Sequence, residues 1–394
     1  MRILFLSFYF EPDLCAGSFR NTALFHELRR QLPKDAFIYV LTTLPNRYKS
    51  FKTSALPEEK GNNYVIRRIR VPEHKGGMAD QAKSFSTFYR ESMRLVKNEH
   101  FDLVYASSSR LFTAFLGRRI AQKKKCPLYL DIRDIFVDTM KDVLKRKPYL
   151  QKPVIAVAKI VERYTFSHAT HINLVSEGFK EYFKKYRIPS YSYFTNGIDD
   201  VFLNVERHEE LHQDSNPIII TYAGNIGSGQ GLEKIIPQAA KLLSHRYLFR
   251  LIGDGGTKKI LQQKLEELGV TNVELLNPVP RNELLKYYAK STFLFLHLND
   301  LEAFKKVLPS KLFEYGALDN PIIAGVGGYA AQFIKDNMSN YILFKPTDVD
   351  DLVEQLKRFS IRYEVRTEFR ERFARDAIME RMATDILNMV HVGI

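Results

Sequence analysis

Lys311 and Glu314 stand three residues apart in Val307-Leu308-Pro309-Ser310-Lys311-Leu312-Phe313-Glu314-Tyr315-Gly316-Ala317, followed by Pro321-Ile322-Ile323. The stretch reads as a turn, a short helix and a buried strand. Residues three apart share a helical face, so a cation and a carboxylate project together from the first turn. The unpaired amides of a helix start favour an anion. Such a site can hold a phosphate group with Lys311 and an adjacent sugar hydroxyl with Glu314. The plain alternative is an exposed ion pair worth about 0.2–0.5 kcal/mol.

Two loops have the composition of phosphate cradles. Glu11-Pro12-Asp13-Leu14-Cys15-Ala16-Gly17-Ser18 lies between a first strand and a helix striped by Phe25, Leu28 and Leu32. Gly17 permits close backbone approach, and the helix start supplies amide donors. Tyr222-Ala223-Gly224-Asn225-Ile226-Gly227-Ser228-Gly229-Gln230-Gly231-Leu232-Glu233 has the same setting and four glycines. Neither loop carries a Walker lysine or the full dinucleotide fingerprint, and glycine at such turns is often purely structural. Gly253-Asp254-Gly255-Gly256 ends another strand, as a further lining segment or an ordinary turn. Asp348-Val349-Asp350-Asp351 precedes a helical run and fits an N-cap with first-turn acids better than a metal site. Asp131-Ile132-Arg133-Asp134 sets three charges at the end of a buried strand, which is costly unless they are paired or serve a cleft.

The elements around these loops alternate. Strand-like runs occur at Arg2–Phe10, Ala36–Leu44, Asn63–Val71, Phe101–Ser107, Leu128–Ile132, His171–Ser176 and Tyr191–Asn196. The pattern restarts with Ile218–Ala223, Leu248–Ile252, Val273–Leu276, Phe293–Leu298, Ile322–Gly325 and Ile342–Phe344. Helical patterns between near-continuously apolar strands argue an α/β fold with parallel sheets covered on both faces. With 394 residues, two doubly wound, Rossmann-like domains are expected, facing each other across a cleft at the carboxyl ends of their strands. The polar stretch Asp199–Pro217 is the linker. The division is then 1–203, 204–370, and a last helix, 371–394, that packs in the second domain or returns to the first.

Composition narrows the setting. Two cysteines, Cys15 and Cys126, make no disulfide framework. No apolar run reaches the length of a membrane span. The apolar start Ile3–Phe10 runs into Glu11-Pro12-Asp13 without a small-residue cleavage site and reads as a strand, not a signal peptide. The net charge of +14 is uneven: residues 1–190 hold 35 Lys+Arg against 18 Asp+Glu, and residues 191–394 hold 24 against 27. The basic half suits an anionic lipid surface, a lipid-phosphate substrate or nucleic acid. Its Lys145-Arg146-Lys147 cluster, with Lys141 and Lys152, is interleaved with Leu144, Tyr149 and Leu150, as at a membrane interface. Solvated helix faces explain many such clusters. The basic clusters lack an aromatic stacking pattern or a recognised nucleic-acid motif.

Taken in order, these pieces resemble family 4 glycosyltransferases, retaining enzymes of the GT-B fold. The matching stretches are the Pro12–Gly17 loop, Asp131–Asp134, Val175-Ser176-Glu177, Thr195-Asn196-Gly197-Ile198-Asp199, Tyr222–Gly231, Gly253-Asp254-Gly255, Leu308–Ala317 and Pro321-Ile322. The Pro-Ser-Lys-Leu-Phe-Glu-Tyr version is similar to that of bacterial O-antigen and capsule enzymes that transfer fucosamine or N-acetylaminosugars. The resemblance implies that Glu314 bonds the ribose hydroxyls of a nucleotide diphosphate sugar, most simply a UDP-sugar. Gly17 and Ser18 would meet the diphosphate from the first domain, and Val279, Pro280 and Arg281 lie where the family holds the base. Gly224, Asn225, Gln230, Gly253, Lys306, Ser310, Lys311 and Leu312 complete the donor set; Arg133 and Asp134 join Lys311 and Glu314 as the catalytic set.

Departures accompany the match. The family's first carboxylate, eight positions before Glu314, is Lys306, and its diphosphate-clamping Arg and Lys are Asn225 and Gln230. Lys311 and Lys306 can replace that charge. Arg133 stands where many members have a histidine near the sugar's six-position, which would suit a deoxy or altered sugar.

The expectation is sugar transfer to a lipid-linked saccharide at the cytoplasmic face of the membrane, reached through Lys145, Arg146 and Lys147, with no cofactor, no metal and no nucleic acid. A nucleotide-sugar epimerase of related fold and a non-catalytic nucleotide-sugar-binding protein are the alternatives.

Overall fold

The computed structural model describes residues 1–46, 54–72, 78–108, 111–145, 147–186, 188, 190–205, 217–244 and 246–392. Arg146 and residues 206–216 of the linker lie outside the described residues. The chain forms two compact units, Met1–Asn196 with Asp376–Ile394, and Gly197–Arg375.

The first unit is built on β1 (Arg2–Leu6), β2 (Phe37–Thr43), β3 (Glu58–Gly61), β4 (Tyr64–Ile69), β5 (Leu103–Ser108), β6 (Leu128–Ile132), β7 (His171–Leu174) and β8 (Ser190–Ser192). Their order in the sheet is β3-β4-β2-β1-β5-β6-β7-β8. All neighbours are parallel except β3, which pairs antiparallel with β4. Strands β5 and β6 are buried at every residue, as a sheet covered on both faces requires. The order reverses between β1 and β5, so the ends of those strands form the switch point where such sheets bind ligands.

The second unit carries β9 (Ile218–Asn225), β10 (Tyr247–Asp254), β11 (Val273–Leu276), β12 (Phe293–His297), β13 (Ile322–Gly325) and β14 (Tyr341–Phe344). Their order, β11-β10-β9-β12-β13-β14, with parallel pairing throughout, is that of a dinucleotide-binding sheet. Its core joins Ile220, Phe249 and Leu251 of the sheet to Ile235, Ile236 and Ala239 of the helix Leu232–Leu242. The switch point here lies between β9 and β12.

Several boundaries differ from the sequence reading. The first strand stops at Leu6, where the Ser7 hydroxyl turns to donate to the Tyr9 carbonyl. The last strand of the first unit is only three residues long. Beyond it, the Asn173 side chain bonds both the amide (2.7 Å) and the carbonyl (3.0 Å) of Phe194, so a side chain replaces the ladder. The single terminal helix is two, Thr367–Phe373 and Arg375–Val392, broken at Ala374 with φ −54° and ψ 126°. The units divide at Asn196/Gly197, before the expected residue 203. Ile198 belongs to the second unit because its amide donates to the Phe373 carbonyl and its carbonyl accepts from the Arg375 amide, each at 2.7 Å. The final segment from Asp376 belongs to the first unit. Among the described residues, no helix is long and apolar enough to cross a membrane.

Candidate active site

In the second unit the helix Lys311–Gly316 follows a turn and leads toward β13. Leu312 and Phe313 are fully buried and Tyr315 is buried as well, which fixes the rotation of this short helix. Lys311 and Glu314 therefore share one side, and Lys311 Nζ donates to Glu314 Oε2 at 2.6 Å. The pair is not the exposed one considered above: the side chains are 21% and 10% accessible. Full burial of Leu312 makes its side chain an anchor of the helix. Ser310 precedes the helix without capping it through its side chain. Lys306 ends the 3-10 turn Phe304–Lys306 and is half-buried.

Lys311 reaches the switch point. A Cβ added at Gly224 would lie 3.6 Å from Lys311 Cε. Gly224 has φ +155° and pairs with Gly253 of β10, where a Cβ would come 1.9 Å from the Gly224 carbonyl oxygen. Only glycine allows the two strand ends this approach. Beside them Asn225 Nδ2 donates to Gln230 Oε1 at 2.7 Å. The two positions where the family resemblance implied cations thus form a neutral pair. The Gln230 carbonyl accepts from His297 Nδ1, and His297 Nε2 accepts from the Thr347 amide. Burial lowers the His297 pKa to about 4, which keeps the ring neutral and this loop fixed at ordinary pH.

Arg281 starts the helix Arg281–Ala289 and pairs with Asp199. Asp199 also pairs with Arg375, whose Nη2 donates to the Gly197 carbonyl at 3.1 Å. Arg375 is 4% exposed; burial lowers its pKa, while Asp199 and Glu314 act to raise it. The structure thus adds Asp199 and Arg375 to the neighbourhood of Glu314. Sequence spacing could not relate residues 199 and 375, and no role had been read into Asp199 within its matching stretch.

In the first unit the helix Ala16–Gln31 begins at the switch point. Its N-cap, Cys15, is extended and makes no side-chain cap, and no acid occupies the first turn. Arg133 lies against this start: a Cβ at Gly17 would fall 2.6 Å from Arg133 Nη1. Arg133 Nε and Nη1 are out of solvent and have no hydrogen-bond partner. Burial lowers the Arg133 pKa, Asp131 opposes this, and Arg20 adds to it. An unsatisfied guanidinium beside an uncapped helix start is a strong attractor for an anion. Ser18 is buried at 1% exposure.

Asp131 serves structure. It accepts from Arg20 Nε (2.8 Å) and Nη2 (2.9 Å) and from Asn173 Nδ2 (2.7 Å). Burial pushes its carboxyl up, but Arg20 outweighs that and holds it below its ordinary value. Asp134 accepts from Thr139 Oγ1 at 3.1 Å, and burial raises its pKa. Sequence reasoning missed the rings Phe85, Phe112 and Phe136, whose centroids follow one another at 5.2 and 5.6 Å. They come from three separate helices, and two of these begin just past the ends of β5 and β6. Lys145 and Lys147 are exposed, immediately before the helix Pro148–Phe166. Asp348 caps its helix by accepting from the Asp351 amide at 3.0 Å, as its sequence indicated.

Residues 24–202 match the family model Glycosyltransferase Family 4, and residues 205–377 match Glycosyl transferases group 1. The chain is similar to WcaI of Escherichia coli, assigned to colanic acid biosynthesis as a glycosyl transferase, with 26% identity over 181 residues. That match covers 45% of this chain and 44% of WcaI, so it spans less than half of the relative's length. Among solved structures, HepE of Anabaena in complex with UDP-glucose superposes with a TM-score of 0.67 at 14% identity, covering 98% of this chain and 99% of HepE. WaaG, a glycosyltransferase involved in lipopolysaccharide biosynthesis, gives 0.65 at 14% identity, covering 99% and 98%. At such identity these likenesses speak for the fold. With one family model on each half and the sheet orders described above, the chain belongs to the family 4 type of GT-B glycosyltransferases.

Proposed function

We propose that the protein transfers a sugar, with retention, from a nucleotide diphosphate donor, a UDP-sugar, to a lipid-linked saccharide during assembly of a bacterial surface polysaccharide such as O-antigen or capsule. The observation that carries this reading is the half-buried Lys311–Glu314 pair beside Gly224 at the switch point of the second unit. The names of WcaI and WaaG, and the UDP-glucose bound by HepE, support the substrate class. In this reading Glu314 accepts from ribose hydroxyls and Lys311 donates to the diphosphate. The bond from the sugar's anomeric carbon to the leaving oxygen breaks, and its electron pair stays on the diphosphate. The acceptor oxygen attacks the same face, and its proton passes to a phosphate oxygen. Fixed cations lower the barrier by meeting charge that grows on the leaving group. Lys311 supplies one such cation, and Arg133 is the candidate in the first unit. No enzyme base and no metal ion are required by this scheme. The reaction takes place at the inner face of the cytoplasmic membrane, with Lys145 and Lys147 toward the lipid; Arg281 and Asp134 support the donor and acceptor sides.

The neutral Asn225–Gln230 pair favours a second reading, a nucleotide-sugar-binding protein without turnover. A panel of nucleotide diphosphate sugars, incubated with lipid-linked acceptor from bacterial membranes, separates the two. Nucleotide release that requires acceptor and disappears in Glu314→Ala is the expected result. Binding lost in Glu314→Ala, with no release on any acceptor, would leave the binding protein. Product formed without acceptor would indicate an epimerase.

A further inference from the structure

The helix Pro148–Phe166 turns Ala158, Glu162, Thr165 and Phe166 inward. Its opposite side is an apolar ridge: Tyr149, Val157 and Ile160 are 72%, 61% and 69% exposed, and Pro153 lies between them. Spacings of four, four and three put these residues on one stripe. Val143 and Leu150 extend the exposed apolar surface at its amino end. Ordinary surface helices do not present their apolar residues to water in a row.

The surface charge of this helix and of the turn before it has one sign. Lys145, Lys147, Lys152, Lys159 and Arg163 are all exposed. The helix has a single acid, Glu162, which is 1% exposed and is bonded by the hydroxyls of Tyr182 (2.5 Å) and Tyr186 (3.0 Å). The negative charge is thus withdrawn from the surface while the positive charge remains. An open groove of about 1050 Å³ runs beside the carboxyl half of the helix, and Lys159, Arg163 and Lys185 line it. Cations at this density suit phosphate groups.

We propose that this helix lies flat on an anionic phospholipid bilayer, its Tyr149–Ile160 ridge at the acyl boundary and its flanking cations on the headgroups. At 1.5 Å per residue the helix is about 28 Å long. Along that length a bilayer offers both an apolar layer and a field of phosphates, and lysine stems extend from one to the other. A single acidic protein surface offers only the second. The inference rests on the membrane placement of the proposed function, but its test contains no sugar. Failure of transfer with vesicle binding intact would overturn only the transfer reading.

The test is flotation of the full chain with vesicles of phosphatidylcholine, alone or with phosphatidylglycerol. Binding is expected only with the anionic lipid. Lys152→Gln with Lys159→Gln should weaken it about 25-fold, roughly fivefold per charge. Val157→Ser and Ile160→Ser, both at exposed positions that leave the far-ultraviolet circular dichroism unchanged, should each weaken it roughly tenfold. Equal binding to both vesicle types, or binding that neither pair of changes alters, would overturn the proposal. So would lipid-free self-association, seen by sedimentation and abolished by Ile160→Ser, since the ridge would then join two copies of the chain.

Discussion

Glu314 is the residue whose role can be isolated most cleanly, because the ligand can be cut as well as the protein. Its carboxylate is 10% accessible and accepts one bond from Lys311 Nζ at 2.6 Å. If it also accepts from two ribose hydroxyls, each charge-assisted bond contributes about 1.5–3 kcal/mol. Loss of both, partly offset by water, should cost about 3 kcal/mol, or roughly a hundredfold in affinity. Glu314→Ala alone does not assign the loss to the ribose, since it removes the bond to Lys311 together with the bonds to the hydroxyls. The pair itself is worth about 0.5–1 kcal/mol to folding, given its partial exposure. A cycle with UDP and 2′,3′-dideoxy-UDP removes the ambiguity. In the parent chain, calorimetry should show roughly a hundredfold weaker binding of the dideoxy nucleotide; in Glu314→Ala the two nucleotides should bind alike. An equal penalty for the missing hydroxyls in both proteins would refute the assignment.

Three further outcomes follow from the packing. Gly17→Ala pushes a methyl to 2.6 Å from Arg133 Nη1 and should displace that guanidinium, lowering the initial transfer rate about tenfold or more; urea unfolding should change by only about 1 kcal/mol, because the neighbour is the end of a flexible side chain. Asp131→Asn removes the counter-ion of the fully buried Arg20 and should cost about 3–5 kcal/mol in the same unfolding assay; a loss under about 1 kcal/mol would mean that the Phe194 and Thr195 carbonyls, which Arg20 also bonds, suffice to hold its charge. The folded His297 pKa, about 4 against an unfolded value near 6.5, means the unfolded chain binds the proton first as pH falls. Stability from this group is therefore present above pH 6.5 and lost down to pH 4, by roughly 3 kcal/mol, and unfolding measured across that window should lose this component in His297→Phe.

Much of the scaffold was legible because its strands are covered on both faces and read as apolar runs. Leu128–Ile132, Val273–Leu276 and Ile322–Gly325 have the limits read from sequence. The edge strand Glu58-Glu59-Lys60-Gly61 was not legible, since it has no apolar pattern and is defined only by its pairing with β4. Ala374 looks like a continuing helical residue, and its break comes from the backbone pairing with Ile198, 176 residues away. In the site, the shared face of Lys311 and Glu314 followed from helical spacing, and Gly17 from its place after the first strand. That the Leu312 side chain faces the core could not be read from the motif, which does not say which of its members are buried. The Arg281–Asp199–Arg375 cluster and the unsatisfied state of Arg133 depend on tertiary contacts that no local pattern encodes.

The neutral Asn225–Gln230 pair need not weaken the case for transfer chemistry, because a leaving diphosphate requires positive charge near it and not a particular residue to carry it. Lys311 approaches the same strand end at Gly224, where a Cβ would lie in contact with its Cε at 3.6 Å and against the Tyr222 hydroxyl at 3.0 Å. Its bond to Glu314 does not exhaust either group. An ammonium has three donors, and one is used here; an ionised carboxylate has about four acceptor positions, and Lys311 occupies one. Two donors remain for phosphate oxygens and enough acceptors for two ribose hydroxyls, so one nucleotide diphosphate can engage both without breaking the pair. In the proposed reading, the ion pair first considered as an alternative to a binding site would be its preorganised core. The two side chains hold one another at 2.6 Å, so in the proposed reading less side-chain freedom would be lost when the nucleotide binds.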